Sequence, residues 1–193
     1  MIGHKLKMKK IGITGSLASG KSTASKIFKK KGPIFSADNI VKKLYSQKKF
    51  RKYISKKLKI EHSSNLKSLI KKKILKDKSF FRKLEKIIHP LVRKEMTNFT
   101  NKYKNKRFIF FEIPLLVESR LMKYFDIIMF IKAKRNLRLK RFKKKGGNKI
   151  LFNTLNRKQF SDKKKAKHCD YVIVNEKNLN ILKKNLLAII KNY

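Results

Sequence analysis

Apolar residues along this chain fall into two alternating patterns. Short runs with little or no polar face are Lys10-Ile11-Gly12-Ile13-Thr14, Pro33-Ile34-Phe35-Ser36, Phe108-Ile109-Phe110-Phe111, Asp126 to Ile131 and Tyr171-Val172-Ile173-Val174. They read as five buried strands. Between them, apolar residues recur at helical spacing. Ala24, Ile27 and Phe28 lie within 22–31, a helix is expected over about 39–47, and Leu179, Leu182, Leu186 and Ile190 lie within 178–191. Alternation of strand and helix predicts an α/β fold around a parallel sheet covered on both faces.

One long stretch, 48–105, carries no strand pattern. Its apolar residues keep helical spacing: Leu66, Leu69 and Ile70, then Phe80, Phe81 and Leu84, then Ile87, Ile88, Leu91 and Val92. It reads as a helical insertion, interrupted at His89-Pro90, where the histidine either caps a helix end or contacts a ligand. The core is then discontinuous, 8–47 with 106–193. Within it the basic segment 132–167, broken by Gly146-Gly147, predicts a helix, a mobile turn and a second helix, with 135–165 as a lid.

The turn after the first strand carries the first chemical signal. Gly15-Ser16-Leu17-Ala18-Ser19-Gly20-Lys21-Ser22 fits G-x-x-x-x-G-K-[ST], the phosphate-binding loop of nucleotide-binding proteins. Strand, glycine turn and helix are the context that pattern needs: backbone N–H groups converge on an anion at a helix N-terminus. Gly15 and Gly20 are expected to supply backbone angles that a Cβ forbids. Lys21 can reach the outer phosphates, and the Ser22 hydroxyl can hold Mg²⁺.

Charge alters this picture less than its size suggests. The 193 residues include 55 Lys and Arg against 11 Asp and Glu, a formal charge of +44. Such a balance points first to nucleic acid or an anionic membrane. Yet the lysines run along almost the whole chain, and Lys, Asn, Ile and Phe are abundant together, as an AT-rich coding sequence produces. A solvated basic surface is the simpler reading, with no obligate nucleic acid. The lone Cys169 excludes an internal disulfide and fits a reducing, cytoplasmic setting. The most apolar run, 108–117, contains Glu112 and Pro114 and is too short to span a bilayer, so no membrane partner is expected. Met8 could serve as an alternative start. A monomer is expected, with oligomers left open.

Phosphoryl transfer needs a phosphate cradle, Mg²⁺, cations and a group that deprotonates the nucleophile. Asp38, just past the second strand, suits a general base and equally a helix N-cap. Glu112 ends an apolar strand, where an ionised carboxylate needs compensation; it suits a metal partner or an exposed loop position. Arg141 stands out from the lysine background of the presumed flap, which also carries Lys145. His4, His62 and His168 show no metal-ligand spacing.

Taken together, Ile11 to Thr23, Ser36-Ala37-Asp38, His89-Pro90-Leu91, Ile113-Pro114-Leu115-Leu116-Val117-Glu118 and Asp170 to Asn175 occur in the order and rough spacing of dephospho-CoA kinases. The chain resembles that family over nearly all of 8–193. The resemblance implies a P-loop kinase-like three-layer fold with a five-stranded parallel sheet, a helical CoA-binding insertion and a lid. It implies transfer of the ATP γ-phosphate to the 3′-hydroxyl of dephospho-CoA, with Mg²⁺. Asp38 would be the base, Lys21 and Arg141 the catalytic cations, and Ala18, Ser19, Gly20, Lys21, Ser22 and Thr23 the core of the ATP site. Asn175 would lie near the adenine, and His89, Pro114, Leu115 and Glu118 would line the acceptor pocket. The chain departs from the family at Ser36, where an Asp is common, and at Lys145-Gly146, where Arg-Asp is usual. Another P-loop nucleoside or nucleotide kinase, or a basic nucleic-acid-binding NTPase, remain the alternatives.

Overall fold

A computed structural model describes residues 7–61 and 65–193; His4 and His62 lie outside them. The strands are β1 (Lys9–Gly15), β2 (Ile34–Ser36), β3 (Phe108–Glu112), β4 (Ile127–Lys132) and β5 (Tyr171–Val174). They form one parallel sheet in the order β2-β3-β1-β4-β5. Helices among the described residues are α1 (Lys21–Ile27, extended by a 3₁₀ turn to Lys30), α2 (Ala37–Ser46), α3 (Lys48–Leu58), α4 (Leu66–Lys76) and α5 (Lys78–Lys102). The remaining four are α6 (Arg135–Lys144), α7 (Lys149–Arg157), α8 (Asp162–Ala166) and α9 (Leu179–Lys191). All five expected strands are present, with no bound moved by more than one residue and β5 as expected.

The chain divides into two compact units: one runs up to Phe35 and resumes at Tyr103, the other is Ser36–Lys102. In the first, the inner strands are apolar on both sides because helices or loops cover both faces of a parallel sheet. On one face Ile11, Ile13, Phe108, Phe110, Ile127, Met129 and Ile131 pack under Phe28 and under Leu182, Leu186 and Ile190 of α9. Phe110 stacks on Phe28 with centroids 4.5 Å apart. Alternation turns Phe111 to the opposite face, where it meets Phe35 and Phe125. At the edge, β5 has one buried side, and Val172 and Val174 are about half exposed.

Register decides what reaches the carboxyl edge of the sheet. Ile13 pairs with Glu112, Gly15 with Ile131, and Lys132 with Val174. The phosphate loop, Glu112 and Asn175 therefore leave β1, β3 and β5 at the same edge, where open α/β sheets bind ligands.

In the second unit, Tyr45, Phe50, Ile54, Leu58, Leu66, Ile70, Phe80 and Leu84 form a core of their own. One expectation fails here: α5 continues through His89 and Pro90 over 25 residues. Proline forfeits one helical hydrogen bond, but the apolar stripe from Phe80 and Leu84 to Val92 and Met96 is buried on both sides of it, and packing holds the helix together. His89 thus caps no helix end. The basic segment is also richer than expected, with three helices, α6 to α8, instead of two. Among the described residues no helix is long and apolar enough to cross a membrane.

Because Phe110 is fully buried against Phe28, Phe110→Ala should cost about 3–5 kcal/mol of unfolding free energy, read from urea melts.

Candidate functional site

The phosphate loop turns at two unusual residues. Gly20 adopts φ +104 and Ala18 φ 58, both left-handed. Gly20 is thus the glycine required by backbone angle. Gly15 corrects the expectation. It is absent from the positive-φ residues, and what it lacks is space: a Cβ there would lie 2.5 Å from the Ile131 carbonyl oxygen and 2.6 Å from Ser19 Oγ.

Four carbonyls of this loop are taken up by side chains. Lys21 Nζ donates to Gly15 O at 3.1 Å and Ser16 O at 2.9 Å. Arg138 Nη1 donates to Leu17 O at 3.3 Å and to Asn156 Oδ1 at 2.7 Å, while its Nε donates to Ala133 O. Arg141 donates to Ser19 O at 3.2 Å and to Asn175 O at 3.0 Å, and Asn175 Nδ2 donates to Ser19 O at 2.8 Å. Burial holds the Arg138 guanidinium below its ordinary pKa, against the pull of Asp162.

The opposite side of the loop meets α8 and the turn before it. Ser16 Oγ donates to Asp162 Oδ1, and Leu17 N–H donates to Gln159 Oε1 at 3.0 Å. Asp162 follows the Ser161 cap of α8.

Ser22 Oγ donates to Glu112 Oε1 at 2.6 Å. Glu112 is buried at the end of β3, which removes the exposed-loop reading. A hydroxyl and a carboxylate side by side at the phosphate loop form an all-oxygen pair, the donor type that Mg²⁺ takes together with water and phosphate oxygens. No group of three or more His, Cys, Asp or Glu suited to a metal occurs among the described residues.

Beyond β3, Pro114 O accepts from Thr14 Oγ1 at 3.1 Å, Leu115 O accepts the Ser119 N–H, and Glu118 Oε1 accepts the Phe160 N–H at 3.0 Å. Thr23 is exposed on α1. Asp38 and His89 belong to the other unit. Ser36 caps α2 by accepting from Asn39 N–H, so the cap role considered for Asp38 is filled, and Asp38 stands exposed in the first turn. His89 lies 3.9 Å from Glu85. Sequence reasoning missed Arg138, Gln159, Asp162 and Lys165. In so basic a chain a single cation or polar residue carries no signal until a tertiary partner is known.

A glycine-rich loop between a central strand and a helix, with the Lys-Ser pair at its end and a carboxylate from the neighbouring strand, defines a P-loop kinase fold. Two solved structures share that fold: TT1252 from Thermus thermophilus (TM-score 0.81, 22% identity, covering 96% of this chain and 98% of that one) and dephospho-CoA kinase from Campylobacter jejuni (TM-score 0.65, 24% identity, 95% and 96%). Within that class the chain belongs to the dephospho-CoA kinase family (CoaE), whose model matches residues 9–180. A dephospho-CoA kinase of Bartonella quintana is 34% identical over 191 residues, 96% of this chain and 98% of the relative. As a family of kinases, it implies a nucleotide as phosphoryl donor.

Two substitutions separate backbone strain from crowding. Gly146→Ala places a Cβ in open space at φ +81 and should cost about 1–2 kcal/mol of stability. Gly20→Ala adds a Cβ 2.1 Å from Asn175 Nδ2 and should cost clearly more, in the same chemical denaturation measurement.

His89 titrates below its ordinary 6.5 because burial disfavours the imidazolium, with Arg93 adding to the effect. Glu85 acts in the opposite sense, but at 3.9 Å between partly exposed side chains it does not prevail. The unfolded chain then binds more protons than the native one just below pH 6.5. The associated stability is complete above that pH and is lost as pH falls. Urea midpoints should drop between pH 7.5 and 5.5, and His89→Gln should flatten that slope.

Proposed function

We propose that this protein transfers the γ-phosphate of ATP to the 3′-hydroxyl of dephospho-CoA. The observation that carries the reading is the Ser22–Glu112 pair beside the phosphate loop, in a chain that matches this family almost end to end. The loop N–H groups from Ala18 to Thr23 bind the triphosphate, and Gly15 shapes the entry to that turn. Lys21, already aimed along the loop, neutralises the β- and γ-phosphates. Ser22 and Glu112 would hold Mg²⁺, which would supply positive charge against the phosphates.

Arg141, tied to Ser19 and Asn175, presents the rest of its guanidinium to the phosphates, and Asn175 borders the base. Asp38 accepts the proton of the attacking hydroxyl, a role its position past β2 favours. The helices of 48–105 bind CoA, His89, Pro114, Leu115 and Glu118 face the acceptor, and 135–165 acts as the lid.

Purified protein with Mg·ATP should phosphorylate dephospho-CoA far faster than nucleosides or nucleoside monophosphates. Asp38→Asn should lower kcat by at least about 100-fold while ATP still binds. Equal turnover of nucleotide acceptors, or an undiminished mutant, overturns the reading.

A further inference from the structure

Lys165 on α8 has a side chain with no exposed surface, the only lysine among the largest fully buried side chains of the described residues. Its Nζ lies 2.9 Å from Glu118 Oε1, 3.2 Å from Pro114 O and 3.5 Å from Gly15 O. One ammonium with three protons thus faces three oxygens from two loops: the start of the phosphate loop and the segment following β3.

Each acceptor is shared with a residue already placed in the site. Gly15 O also takes Lys21 Nζ at 3.1 Å, so two ammonium groups face one carbonyl. Pro114 O also takes the Thr14 hydroxyl, and Glu118 Oε1 also takes the Phe160 N–H. Glu118 Oε2 is buried with no hydrogen-bond partner among the described residues. The pair is therefore incompletely satisfied, and a buried pair of that kind is often matched or exceeded in stability by apolar side chains of similar volume. What an apolar chain cannot do is hold two carbonyls and a carboxylate at fixed separation.

We propose that Lys165 is a positioning residue for phosphoryl transfer. Its ammonium pins Gly15 O and Pro114 O together, and so sets the phosphate loop and Lys21 against the segment that follows β3. The proposal rests on the kinase reading, and it assigns to α8 a role in shaping the donor site.

Three variants test it: Glu118→Gln, Lys165→Met and the double. Lys165→Met alone strands the Glu118 carboxylate and should lower Tm. The double removes both charges and should recover most of that loss. All rates are read below the lowest Tm, per folded molecule. If Lys165 positions the loop, the double should keep a kcat at least about 10-fold below that of Glu118→Gln and a Mg·ATP affinity at least about 5-fold weaker, despite its recovered Tm. If the double matches Glu118→Gln within about twofold in both quantities, Lys165 is structural and the proposal falls. The affinity is measured by calorimetry without acceptor. A native protein inactive on dephospho-CoA that still shows the calorimetric difference would remove the acceptor assignment and leave Lys165 in place.

Discussion

A loop that aims successive N–H groups into one concavity must aim its carbonyls out of it, and carbonyls removed from water need donors. In this chain Gly15, Ser16, Leu17 and Ser19 carbonyls are held by Lys21, Lys165, Arg138, Arg141 and Asn175. Those donors come from α1, α6, α8 and the end of β5, so the shape of one eight-residue turn depends on most of the first unit. The same donors are cations wherever reach allows. A site built this way stabilises the loop's backbone and gathers positive charge around the place a polyphosphate would occupy.

The small set of acidic side chains shows the complementary economy. Asp126 accepts Lys10 N–H and Asp170 accepts Ile128 N–H, each at 2.7 Å, and Glu176 accepts Lys134 N–H at 3.0 Å. Asp162 takes Ser16, Glu112 takes Ser22, and Glu118 takes Phe160 N–H and Lys165. Several of the few carboxylates in this chain thus engage backbone or hydroxyl donors at strand ends. Charge-assisted bonds of this kind hold position better than exposed ion pairs do. Positive charge left over by such scarcity lies mostly on exposed lysines, where solvent and salt screen it.

Fold and cradle were largely legible. Runs such as Phe108 to Phe111 have no polar side because both faces of the strand are covered, and their shortness separates them from buried helices. The phosphate loop was legible because its glycines are set by local geometry, although Gly15 owes its place to the nearby Ile131 carbonyl and not to its own angles. The break expected at Pro90 was misread for a physical reason: a lost helical hydrogen bond is local, whereas the burial of Leu84, Val92 and Met96 that outweighs it is not.

By itself, then, the sequence determined the alternation of elements, the nucleotide-binding turn and the apolar faces, since these follow from periodicity and from backbone limits acting over a few residues. Only the tertiary structure showed which lysines and arginines, besides Lys21 and Arg141, reach the backbone of the phosphate loop. Arg138 and Lys165 are set apart from neighbouring cations by burial and by partners distant in the chain, as far as 150 residues away. Hydrogen bonding to a distant backbone leaves no periodic trace, and so cations such as Arg138 and Lys165 become identifiable only once the sheet brings their partners within about 3 Å.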